Sequence, residues 1–191
     1  MAKAKKLPPA LKGQITKLFK GGMELPDIKA IIAEKFPKIT TERIKTVLRA
    51  HFMNLCDNLW SEAVKLKAGN ICIVDKKADC MLNSHHLIGR SNYKYRWEVN
   101  NGVCLGVYRH TMAHDMAAHG STSATQAFAA WMIDNRPQQW AIFQFRLEDW
   151  KFTEIKIDVY FLLGTMTRLE AEIETLRNQP KADITARKKV T

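Results

Sequence analysis

Eight apolar residues, Phe152, Ile155, Val159, Leu162, Met166, Leu169, Ile173 and Leu176, follow one another at alternating steps of three and four. That spacing gathers them on one stripe of a helix. It excludes a strand, whose side chains change sides at every residue. Over residues 152–178 the pattern predicts a helix of about 40 Å. Gly164 lies off the stripe and weakens the helix by roughly 1 kcal/mol relative to alanine. Such a stripe must be covered, either by the chain's own core or by a second copy. The helix is long for a chain of 191 residues, which favours a homodimer through residues 151–191.

The opposite end is broken into short helices. Leu11, Ile15, Leu18 and Phe19 recur at helical spacing until Gly21-Gly22. Pro26 opens a second helix with Ile28, Ile31, Ile32 and Phe36 inward, and Pro37 closes it. Thr40-Thr41 caps a third, with Ile44, Val47, Leu48 and Phe52 on its apolar face. A further helix is expected through Leu55, Leu59, Trp60, Val64 and Leu66, ending at Gly69. Three short helices with tight breaks suit a helix-turn-helix unit. Its third helix offers Arg43, Lys45, Thr46 and Arg49 to phosphates and base edges. A helical cap with a merely solvated charged face is the alternative.

Charge supports a polyanionic partner. The formal net charge is +11, and residues 1–70 hold 14 Lys/Arg against 6 Asp/Glu. DNA is the expected partner and residues 1–69 the docking unit. No apolar run reaches the roughly 20 residues of a spanning helix, so no membrane role is expected. Cys56, Cys72, Cys80 and Cys104 form no CxxC pair. A reducing, cytoplasmic setting is expected.

The centre, residues 70–150, changes period. "ICIV" (71–74), Leu87-Ile88 and Val103 to Val107 read as strands, with an Asn101-Gly102 turn signal between the last two. From His110 the pattern returns to helix through Met112, Ala113, Met116 and Ala117, and a second helix carries Phe128, Trp131 and Met132. The fold class expected is therefore α+β, mostly α-helical.

Four of six histidines fall between Ser84 and Asp115. On one helix His110 and His114 share a face and can grip one cation. A hairpin before that helix lets His85 complete a three-histidine site. His86 then points to the other side of its strand, available as a base. Arg90 and Arg96 can hold a polyanion. Residue 111 is Thr, so no HExxH zinc protease is indicated. His119 reads as a bystander at a helix end and His51 as a surface or half-buried residue. A structural metal protein with no hydrolytic role is a further, less favoured class.

The elements His85-His86, Arg90, Arg96-Trp97, Asn101-Gly102, Leu105, His110 and His114 together resemble the HNH (His-Asn-His, ββα-metal) endonuclease family, in the form common in phage genomes. The spacing of 15 from His86 to Asn101, 9 to His110 and 4 to His114 also resembles colicin-type nucleases. "FAAWMIDNRPQQW" resembles the tail that accompanies the phage form, and the resemblance spans about residues 70–140.

The resemblance implies a metal-dependent DNA endonuclease. His86 would be the general base, and Asn101 would tie the loop and orient that base. Arg90 would stand at the phosphate, and His85, His110 and His114 would be the metal ligands. It implies one divalent cation, Mg2+ first, with Mn2+, Ni2+ or Zn2+ as alternatives. A phage-encoded protein would work in the host cytoplasm. Members of this form also carry two CxxC pairs holding a structural zinc. Here those positions read Cys72 to Asp75 and Gly106 to Arg109, so that zinc is expected to be absent. A site salvaged from Cys72, Cys80 and Cys104 is the alternative there. A non-catalytic DNA-binding protein on the same scaffold is the alternative for function.

Overall fold

The computed structural model describes residues 7–78, 80–113, 115–149, 155 and 157–179. Among the described residues the chain is mostly helical, with one small antiparallel sheet. It divides into two compact units, residues 1–55 with 157–164, and residues 56–156 with 165–191.

In the first unit, α1 (Pro9–Lys20) starts on proline and ends at Gly21, whose N–H reaches the Lys17 carbonyl at 3.0 Å. Gly22 turns the chain at φ 85°, a conformation glycine adopts without steric cost. α2 (Leu25–Ala33) buries Ile28 and Ile32. The core is completed by Leu11, Ile15, Phe19, Ile44, Leu48 and Phe52, together with Val159 and Leu162. Phe19 packs on Phe52 and Tyr160, with ring centroids 5.8 and 5.7 Å apart.

The expected third and fourth helices are one. α3 (Thr41–Lys67) runs 27 residues without interruption. No Gly or Pro interrupts it, and its buried stripe continues as Ile44, Leu48, Phe52, Cys56, Trp60 and Val64. Cys56, fully buried, carries the stripe across the point where a break was expected. α3 contributes its first half to one unit and its second half to the other.

The second unit is built around β1 (Leu82–His86) and β2 (Gly102–Gly106), paired with His85 opposite Val103 and His86 opposite Gly102. "ICIV" is a turn rather than a strand. The Cys72 N–H reaches the Lys77 carbonyl at 2.8 Å, and the Ile73 N–H reaches the Cys104 carbonyl of β2 at 2.9 Å. Leu87-Ile88 lies beyond β1, in the connection to β2. Asn101-Gly102 is not a two-residue hairpin turn. That connection, residues 87–101, is long, and Gly102 serves for close packing. A Cβ there would overlap Val64 Cγ2 and lie 2.7 Å from Trp60 Cζ2. Gly102→Ala is therefore expected to cost about 2 kcal/mol through overpacking, read as a shift in the urea midpoint.

After β2 a single π-helical turn, Tyr108–Met112, ends at Ala113, which is extended (ψ 122°). The longer helix expected here is absent, because the chain folds back. Ala118 and His119 N–H groups reach the Arg109 and His110 carbonyls at 3.0 and 2.9 Å. Ala113, Ala117 and Ala124 pack together where the return closes. Ser121 then caps α4 (Thr122–Asn135), its Oγ accepting the Ala124 N–H. Phe128 and Met132 of α4 are buried with Cys72, Ile73, Val103 and Leu105. α5 (Pro137–Asp149) follows.

α6 (Val159–Asn178) carries the heptad stripe. Val159, Leu162, Met166, Leu169 and Ile173 are buried within the chain itself, so this face is already covered without a second copy. Phe152 lies outside the described residues, and Ile155 precedes the helix. Among the described residues, no helix is long and apolar enough to cross a membrane.

Candidate metal and phosphate site

Alternation along β1 sends His85 and His86 to opposite faces. His85 is 8% exposed and faces the return after β2. There it meets His110, on the π-helical turn, and His119, at the end of the return. Ring centroids are 5.5 Å from His85 to His110, 4.6 Å from His85 to His119 and 5.0 Å from His110 to His119. One ring nitrogen from each lies within 4.8 Å of the others, so the three could hold a metal ion.

The chemistry of the site fits a cation. His85 Nδ1 is buried and has no hydrogen-bond partner, which is costly unless something completes it. Burial, then the neighbouring His119, His110 and His86, pushes His85 down to about 3. Burial, His119 and Arg90 also lower His110. At neutral pH both therefore keep the lone pairs that metal ligation requires.

His86 lies flat on Trp60, with centroids 3.6 Å apart and planes at 13°. Trp60 is itself fixed by its Nε1 donating to the Glu98 carbonyl at 2.9 Å. His86 Nε2 lies 2.9 Å from the Arg96 carbonyl. A carbonyl only accepts, so Nε2 carries the proton and Nδ1 the lone pair. Burial, reinforced by Arg90 and opposed by that hydrogen bond, takes His86 down to about 4. His86 is thus a neutral imidazole of fixed tautomer at pH 7.

Asn101, 4% exposed, ties the connecting loop. Its Oδ1 accepts the Ile88 N–H at 2.7 Å, and its Nδ2 donates to the Ile88 and Tyr95 carbonyls at 2.9 and 3.0 Å. Arg90 is exposed on this loop, and its charge bears on both His86 and His110.

Arg96 has a different engagement from the one expected. Its Nε and Nη2 grip Asp57 at 3.0 and 2.7 Å, and Nη1 donates to the Arg90 carbonyl at 3.2 Å. With its side chain 12% exposed, its charge is neutralised inside the protein and it braces the loop rather than facing a phosphate. Asp57 also accepts from Trp97 Nε1 at 2.8 Å. Burial alone would raise the Asp57 carboxyl, but the Arg96 and Trp97 hydrogen bonds and the Arg96 charge outweigh it and hold it low.

His114 lies outside the described residues. The π-helical turn that bears His110 ends at Ala113. His119, expected to be a bystander, stands in the cluster instead. The signal that could have found it was the Gly120-Ser121 break, which allows a returning loop. Among the DNA-contact candidates in the first unit, Arg49 is exposed and Arg43 half-buried. Lys45 pairs with Glu42 at 2.8 Å, an exposed pair of little energetic weight. At the expected zinc positions, Asp75 and Arg109 pair at 2.9 Å.

The depressed histidines give stability a pH dependence. Unfolded, they titrate near 6.5 and take up protons that the folded form refuses. Their contribution is complete above about pH 6.5 and is lost as pH falls towards their folded values. With chelator present, the melting temperature is expected to fall by about 5 °C between pH 7 and 5. His85→Gln should flatten that slope.

No family model, curated protein or solved structure matches the chain.

Proposed function

We propose that the chain is a metal-dependent DNA endonuclease resembling the HNH family. The observation that carries the proposal is the meeting of His85, His110 and His119, with the neutral His86 on the next residue of the strand. In this reading His86 Nδ1 takes the proton from attacking water while Nε2–H stays anchored on the Arg96 carbonyl. Arg90 receives the phosphate, and Asn101 keeps the loop that bears both Arg90 and the Arg96 carbonyl. When bound, a divalent ion would supply charge neutralisation at the scissile phosphate and at the departing 3′ oxygen. Arg43, Lys45 and Arg49, with the basic first 70 residues, would add sequence-independent phosphate contacts.

An all-imidazole set suits Zn2+ or Ni2+ better than Mg2+ or Mn2+, which prefer oxygen ligands. Mg2+ would need the oxygens of the phosphate and water to complete its shell. The four free cysteines suit a reducing compartment, in keeping with the cytoplasm. With the α6 stripe covered from within, single-strand nicking by a monomer is the expected mode.

The test is plasmid nicking with Mg2+, Mn2+, Ni2+ or Zn2+, each with a chelator control. Chelator-sensitive nicking supports the proposal. Salt-sensitive DNA binding without cleavage under any ion favours the second reading, a non-catalytic DNA-binding protein. The Trp60 stack, which covers one face of His86, is the feature on that side.

A further inference from the structure

We propose that Arg109 is the positioning residue that makes His119 the third imidazole of the cluster. The inference deepens the metal site and rests on that reading. His119 is carried by an irregular return, so something other than helix geometry must fix it. Arg109, one residue before His110, holds that return on both sides of its own backbone. Its Nη1 donates to both Asp115 carboxylate oxygens at 2.9 Å and to the Met116 carbonyl at 3.4 Å. Its carbonyl accepts the Ala118 N–H at 3.0 Å, and the next carbonyl, of His110, accepts the His119 N–H at 2.9 Å. On the opposite edge its Nε donates to Asp75 Oδ1 at 2.9 Å. One guanidinium therefore joins the turn before β1 to the loop bearing His119.

An isolated surface ion pair would count for little. This one is different, since the Arg109 side chain is 19% exposed and its two carboxylates come from separate segments. The return also packs Ala113 and Ala117 on Ala124, and Met116 and Ala118 against the core around Cys72, but none of these contacts fixes the direction of the His119 ring. The geometry also demands the fork: a lysine has the charge but cannot donate in both directions from a planar group.

The experiment measures Co2+ binding by visible absorption in wild type, Arg109→Ala, Arg109→Lys, His119→Ala and the Arg109→Ala/His119→Ala double variant. Arg109→Ala should bind Co2+ about 10- to 100-fold more weakly, with Arg109→Lys recovering only part of the loss. The double variant should bind no more weakly than His119→Ala alone, because Arg109 acts through His119. Wild-type affinity in Arg109→Ala, or full additivity in the double variant, would overturn the proposal.

A metal-free readout separates it from the metal reading. The nuclear Overhauser contact between the His110 and His119 rings should be present in wild type and absent in Arg109→Ala at unchanged far-ultraviolet dichroism. If wild type takes up no Co2+, the metal reading fails, while the ring contact still decides what Arg109 does. Should Arg109→Ala not fold, Asp115→Asn removes one arm at a carboxylate 69% exposed. It carries the same expectations at smaller amplitude, and an unchanged ring contact there would count against the proposal.

Discussion

His86→Ala is expected to lower the rate of plasmid nicking by about 10²- to 10⁴-fold, the range of a lost general base, while DNA affinity stays within about twofold. The asymmetry follows from placement. His86 is neutral, projects from β1 opposite to His85, and contributes no charge to the holding of a polyanion. His110→Ala should behave differently, weakening metal uptake as well as cleavage, since its ring belongs to the cluster. Cleavage at fixed enzyme with rising metal concentration separates the two: excess ion should partly restore His110→Ala and leave His86→Ala unchanged. Normal nicking by a clean His86→Ala preparation would remove His86 from the chemistry.

The second large effect concerns stability. Asn101→Ala is expected to cost about 2–4 kcal/mol, because two buried backbone groups lose their partner at once and a third loses one of two. The abandoned groups are the Ile88 N–H and carbonyl, while the Tyr95 carbonyl keeps the Glu98 N–H at 3.1 Å. Asn101→Asp should be nearly as harmful. It keeps the acceptor for Ile88 N–H but sets carboxylate oxygens against two carbonyls. Urea denaturation followed by tryptophan fluorescence reads both. A loss below about 1 kcal/mol, the worth of a single ordinary hydrogen bond, would show that the loop does not depend on this side chain.

How much of this was legible in the sequence depends on which physical signal each residue carries. Val103 to Leu105 is a run of β-formers, and β2 lies there, whereas the first strand, expected at Leu87-Ile88, falls on the polar Leu82–His86 segment just before it. His85 beside His110 follows from that hairpin and the turn after it. His119 was hidden because spacing at 110, 113, 114 and 117 imitates a helix. Alanines pack equally well in a tight return, and periodicity does not distinguish the two. The continuity of α3 was hidden for a related reason: its stripe passes through Cys56, a residue that looks polar on a list and behaves as an apolar one in a core. The α6 stripe was expected to be covered by a second copy; Val159 to Ile173 are buried within the chain, and spacing alone does not name the cover. Arg96 shows the limit for charges. A guanidinium's partner is set by the fold, and Asp57 stands 39 residues away.

The contact of His86 with Trp60 has a consequence for how this protein can be watched. A proton arriving at an imidazole 3.6 Å from an indole face alters the electric field across that chromophore, and with it the colour and yield of its emission. The molecule thus carries a built-in optical gauge beside His86, and a Trp60→Phe control subtracts the light of the other indoles.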